Sequence, residues 1–270
     1  MEVLLSGAVI LVGESWAMSK VERKEKIRQL VYETGGVTVA ELCTRFGVSE
    51  ATIRRDLEEL DAAGGLQRVH GGAVRPSSLA PEPPIFQRTH EQAAFKDQIG
   101  WAAAELIADG ETVFLGSGST VLAVAKHLKD RHNLTVISNS LPVINLLADV
   151  PQITVIVLGG LLRPSELSLI GHITEQSLAQ LQADKVVMGI RAIHPEHGLT
   201  NDYLPETMTD RAIVRLSNNV IVVADHTKVG RIAPALVAPL SVVDTLVTDS
   251  GVDPEVVKSL TDAGVRVIVA

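Results

Sequence analysis

The stretch LGSGST, residues 115–120, follows a β-branched run and precedes a helical one. Gly116 and Gly118 allow backbone amides to approach an anion, and Ser117, Ser119 and Thr120 add hydroxyl donors at a helix start. That chemistry suits a phosphate group. A dinucleotide fingerprint would need glycine at 121, where Val121 stands, so no nucleotide cofactor is expected. The other reading of the stretch is an ordinary strand-to-helix turn capped by Gly and Ser. Polar groups recur after four more apolar runs: Ser138-Asn139-Ser140, Gly159-Gly160 with Arg163, Gly189 with Arg191, and Asp225 with Lys228. Converging on one cleft, they would supply an amide, a carboxylate for hydroxyls and cations for phosphate; singly, each is a cap or a salt bridge.

A second constellation is VSEATIRRDLEEL, residues 48–60, which sets two arginines in an otherwise acidic amphipathic helix. At about 100° per residue, Ile53, Leu57 and Leu60 form one buried stripe. Ala51, Thr52 and Arg55 point away from it, with Arg54 on the flank and Ser49 as the cap. A small-residue and Arg/Thr face near a helix start suits the major groove of double-stranded DNA, where it reaches base edges or phosphates. The next segment, LQRVHGGAV (66–74), alternates Leu66, Arg68 and His70 before a Gly-Gly turn and reads as a wing resting on backbone or minor groove. Taken alone, the helix is equally a surface helix whose Arg54 and Arg55 pair with Glu50, Glu58 and Glu59. The order helix, turn, Arg-bearing helix, basic wing favours DNA.

These side chains need positioning elements. Ile27, Leu30 and Val31 recur at helical spacing up to Gly35-Gly36, and Thr38 with Glu41 opens a capping box for the helix VAELCTRF, which stops at Gly47. Ser49 follows after a three-residue turn, a helix-turn-helix spacing, and Gly64-Gly65 closes the Arg-bearing helix. RPSSLAPEPPIF then interrupts all periodicity with four prolines in twelve residues, the composition of a semi-extended tether. Beyond it, TVFL, LTVIS, ITVIVLGG, KVVMGI, NVIVVAD, DTLVTD and VRVIVA alternate with helical segments, which predicts an open, mainly parallel α/β sheet. The expected organisation is an N-terminal extension over 1–17, a winged helix-turn-helix domain over 18–75, a linker over 76–90 and an α/β domain over 91–270. In such sheets ligands bind at the carboxyl ends of strands.

Composition agrees. Apolar residues make up 46% and aromatics only 3%, which suits helices packed on parallel strands rather than an extracellular all-β module. The lone Cys43 excludes an intramolecular disulfide and a cysteine-based zinc site within one chain, and favours a reducing cytoplasm. Residues 18–76 carry ten Lys/Arg against nine Asp/Glu, whereas 77–270 carries fourteen against twenty-one, so the segment without acidic excess is the one holding the arginine pair. The apolar run over residues 3–12 lacks a basic flank and is too short to span a bilayer. A misassigned start, with Met18 as the native one, is the preferred reading of 1–17; a membrane-associating or partner-binding tail is the alternative. His127, His132, His194, His197 and His226 lack the partners of a metal or nucleophilic site, so no metal is expected.

The string ELCTRFGVSEATIRRDLEELDAAGGLQRVHGGAV resembles the winged helix-turn-helix of the DeoR family of bacterial transcription regulators, and the likeness runs from Arg23 to Val74. Farther on, GSGST, SNS, LGG, GLT (198–200), Glu206 and ADHTK match the family's sensor pattern in order. The resemblance implies a helix that docks in an operator and a sensor for a phosphorylated sugar intermediate, with a ribose-5-phosphate-isomerase-like, Rossmann-like fold. It further implies a cytoplasmic homo-oligomer, dimer or tetramer, that represses a sugar-catabolic operon without being an enzyme. Members often carry an acid-Lys pair where Phe95-Lys96 stands, Asp at Gly116 and Lys at Asp210; Lys96 is kept and is expected at the effector. The glycine-rich loop is closer to that of the isomerases, so the alternative is a sugar-phosphate isomerase with a DNA-binding arm, using Glu206 or Asp225 with Lys228. A DNA-binding scaffold without an effector conflicts with the polar strand ends.

Overall fold

The computed structural model describes residues 19–62, 65–69, 71–75 and 82–270. The extension over 1–17, Met18, His70 and the first part of the Pro-rich segment lie outside the described residues.

Short caps delimit the first domain. Ser19 and Glu22 form a capping box that starts α1 (Lys20–Thr34), and Gly35 ends it with φ 78°. After β1 (Gly36–Thr38), the expected box of Thr38 and Glu41 opens α2 (Val39–Phe46), and Gly47 closes it with φ 65°. Residues 47–49 lead into α3 (Glu50–Ala62), where Ser49 accepts from the Thr52 amide at 3.3 Å. The wing is a hairpin of β2 (Gln67–Val69) and β3 (Gly72–Val74), and β1 adds to β3 as a third antiparallel strand. A side chain at Gly72 would meet the Val37 carbonyl oxygen at 2.0 Å, so that strand contact requires glycine. Ile27, Val31, Leu42, Ile53, Leu57 and Leu66 are fully buried between these elements. Each such side chain contributes about 1.5–3 kcal/mol to the small core.

The larger domain begins with α4 (Ile85–Arg88), α5 (Ala93–Ala104), β4 (Thr112–Leu115), α6 (Ser119–Lys126), β5 (Leu134–Ser138), α7 (Leu141–Leu147) and β6 (Ile153–Val157). A hairpin of β7 (Leu161–Arg163) and β8 (Ser168–Ile170), then α8 (His172–Leu178), lead to β9 (Lys185–Met188). The chain finishes through β10 (Ala192–His194), β11 (Gly198–Asn201), α9 (Leu204–Ile213), β12 (Val220–Val223), β13 (Ala235–Ala238), β14 (Thr245–Thr248), α10 (Pro254–Asp262) and β15 (Arg266–Val269). The seven expected strands form one sheet in the order β15-β14-β12-β9-β4-β5-β6, with every pair parallel. Both faces are covered: Phe114, Val186 and Val222 belong to one apolar layer, Val113, Leu115, Val187, Ile221 and Val223 to the other. The sequence pattern did not reveal the antiparallel sheet β10-β11-β13 or the β7-β8 hairpin, whose strands are only three or four residues long.

Strand order reverses between β4 and β9, since β5 and β6 extend the sheet one way and β12, β14 and β15 the other. This opens a crevice at the carboxyl ends of the central strands. Helix α9 spans from that crevice to the first domain, where Leu204 packs with Val74 and Ala235. The second half of the expected tether is packed as well: Ile85 is 1% exposed and its amide donates to the Ser165 carbonyl at 2.8 Å. One buried isoleucine and its backbone bond hold residues that proline composition alone suggested were free. Among the described residues no helix is long and apolar enough to cross a membrane.

Candidate functional site

Two surfaces carry the chemistry. On α3, Ile53 and Leu57 are buried, Leu60 packs against the same core, and Ala51, Arg54 and Arg55 are exposed, as the helical period predicts. Arg54 Nη2 donates to Glu50 at 3.2 Å across an exposed turn, whereas Arg55 has no hydrogen-bond or ionic partner among the described residues. The hydroxyls of Ser49 and Thr52 lie 3.0 Å apart, tying the cap to the outward face. Arg68 on the wing donates to Glu58 at 2.7 Å and its amide to Asp61 at 3.1 Å, which fixes the wing against α3. Asp56 was not anticipated as a buried residue. It is 1% exposed and accepts from Arg23 Nε at 2.6 Å, locking α3 to α1.

The second surface is a cavity of about 360 Å³ at the switch point. Ser117, Gly118, Ser119 and Thr120 reach it from the end of β4, Gly189 and Arg191 from β9, and Asp225, Thr227 and Lys228 from β12. Gly118 precedes α6 with φ 111°, and the first-turn amides of α6 have no intrahelical acceptor, as at any helix start. Lys96 also lines the cavity, but its buried Nζ donates to the carbonyls of Arg88 at 2.6 Å and Glu91 at 2.7 Å. Burial lowers the Lys96 pKa, with Asp225 pulling the other way. One carboxylate oxygen of Asp225 caps the turn at 226–228 through Thr227, leaving the other outside that cap.

Four expected residues do not line the cavity, and strand order explains three of them. Asn139 and Gly160 follow β5 and β6, which lie beyond β4 on the far side from the switch point. Asn139 instead donates to the Leu169 carbonyl at 3.0 Å, and a side chain at Gly160 would strike Thr174 Oγ1 at 2.1 Å, so this glycine serves packing against α8. Arg163, on the hairpin after β6, pairs with Glu206 and lies over the Tyr203 ring at 4.4 Å, supporting a cavity residue from behind. Gly116 is buried within the β4 turn, where its amide donates to the Val187 carbonyl at 3.0 Å.

The cavity gains residues that local pattern did not single out. Glu82 and Arg88 come from the proline-rich segment, Glu166 from the β7-β8 turn and Asn201 from β11. From α9 come Glu206, already named in the sequence as part of the sensor pattern and as a candidate base, and Asp210, named there as a departure from the family; their i,i+4 spacing in LPETMTD sets both on one helix face. The lining is strongly charged: the cations Arg88, Arg191 and Lys228 share it with the acids Glu82, Glu166, Glu206 and Asp210, and Arg88 pairs directly with Glu166. Burial raises the Glu166 pKa from 4.5 to about 7, Arg88 opposing and Glu206 adding to the rise. Asp210 is pushed well up by burial and by Glu206, while Asn201 Nδ2 donates to it at 2.8 Å. Raised in this way, both carboxyls favour the protonated form, which can donate to a ligand oxygen, more than an exposed acid does. Among the described residues no group of His, Cys, Asp and Glu could hold a metal ion.

A winged helix with an outward arginine, coupled through α9 to an α/β domain with a charged switch-point cavity, defines a DNA-binding regulator with a sensing domain. Family models agree: the DeoR-like helix-turn-helix domain matches residues 23–79 and the DeoR C-terminal sensor domain residues 91–250. The chain is 36% identical to the transcriptional repressor AccR of Agrobacterium fabrum, over 86% of this chain and 91% of that protein. It is also 36% identical to the glycerol-3-phosphate regulon repressor of Escherichia coli, over 91% of this chain and 97% of the relative. Among solved structures, ribose 5-phosphate isomerase A of Methanocaldococcus jannaschii superposes with a TM-score of 0.39 at 17% identity, over 51% of this chain and 55% of its own. The chain belongs to the DeoR family of DNA-binding transcriptional regulators. It is a regulator rather than the isomerase considered above, as its named relatives are repressors.

Proposed function

We propose that the chain is a repressor that binds operator DNA as a homo-oligomer and releases it when a small phosphorylated sugar or sugar-derived effector enters the switch-point cavity. The observation that carries this reading is the meeting of the Ser117–Gly118–Ser119–Thr120 loop, at the start of α6, with Lys228, Arg191 and Arg88 around one cavity. Helix amides, hydroxyls and guanidinium groups together suit a phosphate. Asn201, Glu206, Glu166 and Asp210, which also line the cavity, suit the hydroxyls of a polyol or sugar. The name of the Escherichia coli relative, a repressor of a glycerol-3-phosphate regulon, fits an effector of this chemistry.

Ser49, Ala51, Thr52, Arg54, Arg55 and Arg68 face the DNA in this reading, with Arg55 free to reach a base edge or phosphate. Two copies would place two such helices on paired half-sites. Coupling runs through α9, which carries Glu206 and Asp210 at the cavity and Leu204 against the wing strand residue Val74. An effector that favours one arrangement of α9 shifts DNA affinity by its differential binding, ordinarily about 1–3 kcal/mol. Thermal unfolding with glycerol 3-phosphate, a panel of sugar phosphates and their unphosphorylated counterparts tests the reading. A phosphorylated ligand at 100 times its Kd adds about 2.7 kcal/mol and raises Tm, its unphosphorylated counterpart does not, and Lys228→Ala removes the shift. Equal responses to both forms, or none to any phosphorylated compound, sink the phosphate assignment.

A further inference from the structure

Glu82 belongs by sequence to the proline-rich segment between the domains, yet its carboxylate lies among the cavity's cations. It pairs with Lys228, stands 3.1 Å from Arg191 Nη1 and 3.5 Å from Arg88 Nη1, and its side chain is 15% exposed. Arg191 and Arg88 have second carboxylates, Asp202 at 2.7 Å and Glu166 respectively. Among the described residues Glu82 is the only ionic partner of Lys228. Burial by itself would push the Glu82 carboxyl up, but Lys228, Arg88 and Arg191 together hold it below the ordinary carboxylate range. The negative charge therefore already occupies the cation cluster.

A carboxylate and a phosphate compete for the same donors, and two anions beside one ammonium repel each other. A phosphate has more charge and more acceptor oxygens, and can also use the start of α6, to which Glu82 has no hydrogen bond. The geometry points to Glu82 as a built-in competitor at the anion subsite, displaced from Lys228 when the effector's phosphate binds. Displacement frees residue 82, which by sequence follows the stretch joining the wing to the larger domain. Glu82 stands three residues before α4, whose buried Ile85 and Arg88 are anchored to Ser165 and Glu166, so α4 stays in place when the Glu82 carboxylate leaves Lys228. This inference rests on the effector reading above and adds how occupancy of the cavity reaches the domain linker.

The test uses the full chain, inorganic phosphate as probe, and the substitutions Glu82→Gln and Lys228→Gln, with Glu82→Ala as a second competitor-free variant should the glutamine fold poorly. Phosphate affinity is read by calorimetric titration, and DNA affinity by anisotropy on a duplex selected by the wild type from a random pool. Glu82→Gln is expected to bind phosphate about tenfold tighter or more, and Lys228→Gln to lose binding. Glu82→Gln without phosphate should have the DNA affinity that the wild type has with phosphate. If the wild type binds phosphate and Glu82→Gln binds it no tighter, Glu82 is not a competitor and the inference falls while the effector reading stands. If Glu82→Gln retains the DNA affinity of phosphate-free wild type, the link to the DNA-binding domain falls. If neither wild type nor either Glu82 variant binds phosphate or a sugar phosphate, the anion subsite itself is refuted and both readings fail together.

Discussion

Arg55 on α3 stands in solvent without an ionic partner among the described residues, whereas Arg88 and Lys228 at the cavity, and Arg163 beside it, are largely buried against carboxylates. The same residue types thus serve two designs. An exposed arginine keeps its donors for an outside partner and owes nothing to the fold, and its position follows from helical period alone. A buried cation has to be neutralised from within, and its partners come from far along the chain: Glu82 and Lys228 are 146 residues apart, Arg88 and Glu166 78, Arg163 and Glu206 43. What distinguishes the regions is therefore not charge density but who supplies the counter-charge. Even α3 contains both designs, since Asp56 on its inner side is buried against Arg23 only one residue after the exposed Arg55.

The difference can be broken at its buried end. Arg23→Ala should destabilise the winged helix by about 3–5 kcal/mol, because it strands the Asp56 carboxylate in the core. Urea unfolding followed by far-UV circular dichroism checks this, and an unchanged midpoint would mean that Asp56 finds other solvation. A second buried group, Glu166, sharpens the contrast through pH. The unfolded chain sheds this proton near 4.5 while the folded chain keeps it to about 7. Stability therefore falls as pH rises through that window, by an amount on the order of 1–3 kcal/mol, and levels off above it. The difference in Tm between wild type and Glu166→Gln should follow this slope between about pH 5 and pH 8. A pH-independent difference would show that Glu166 is ionised in the folded chain throughout.

At the exposed end the effect moves from stability to binding. Arg55→Ala should weaken specific DNA binding by about 1–3 kcal/mol if Arg55 reads a base, or lower the salt slope by about one if it meets a phosphate. Anisotropy at several salt concentrations separates the two, with Tm expected to stay put. Loss of DNA binding accompanied by a lower Tm would instead make Arg55 a structural residue. The neighbouring Arg54→Ala breaks only the exposed pair with Glu50, so its stability change should stay within about 0.5 kcal/mol.

The sequence by itself determined whatever depends on neighbours a few residues away. The Thr38–Glu41 capping box, the turn at Gly47 and the buried stripe of Ile53 and Leu57 are set by hydrogen bonds and periods spanning one or two helical turns. The seven parallel strands were legible for the same reason, because strands buried on both faces appear as short β-branched runs. Ser117, Gly118, Ser119, Thr120, Arg191, Asp225 and Lys228, all cavity-lining, could be picked out because each lies within five residues of the end of such a run. Only the tertiary structure decided which strand ends share a cavity, and it excluded Asn139 and Gly160 by setting β5 and β6 outside β4. Strand order is invisible locally, since each parallel strand carries the same apolar pattern whichever neighbour it takes. The tertiary structure also brought Glu82 out of a proline-rich segment to Lys228. Composition describes how such a segment would behave in water, but a part-buried ammonium is screened less than one in bulk water and draws in a carboxylate from wherever the chain can supply one.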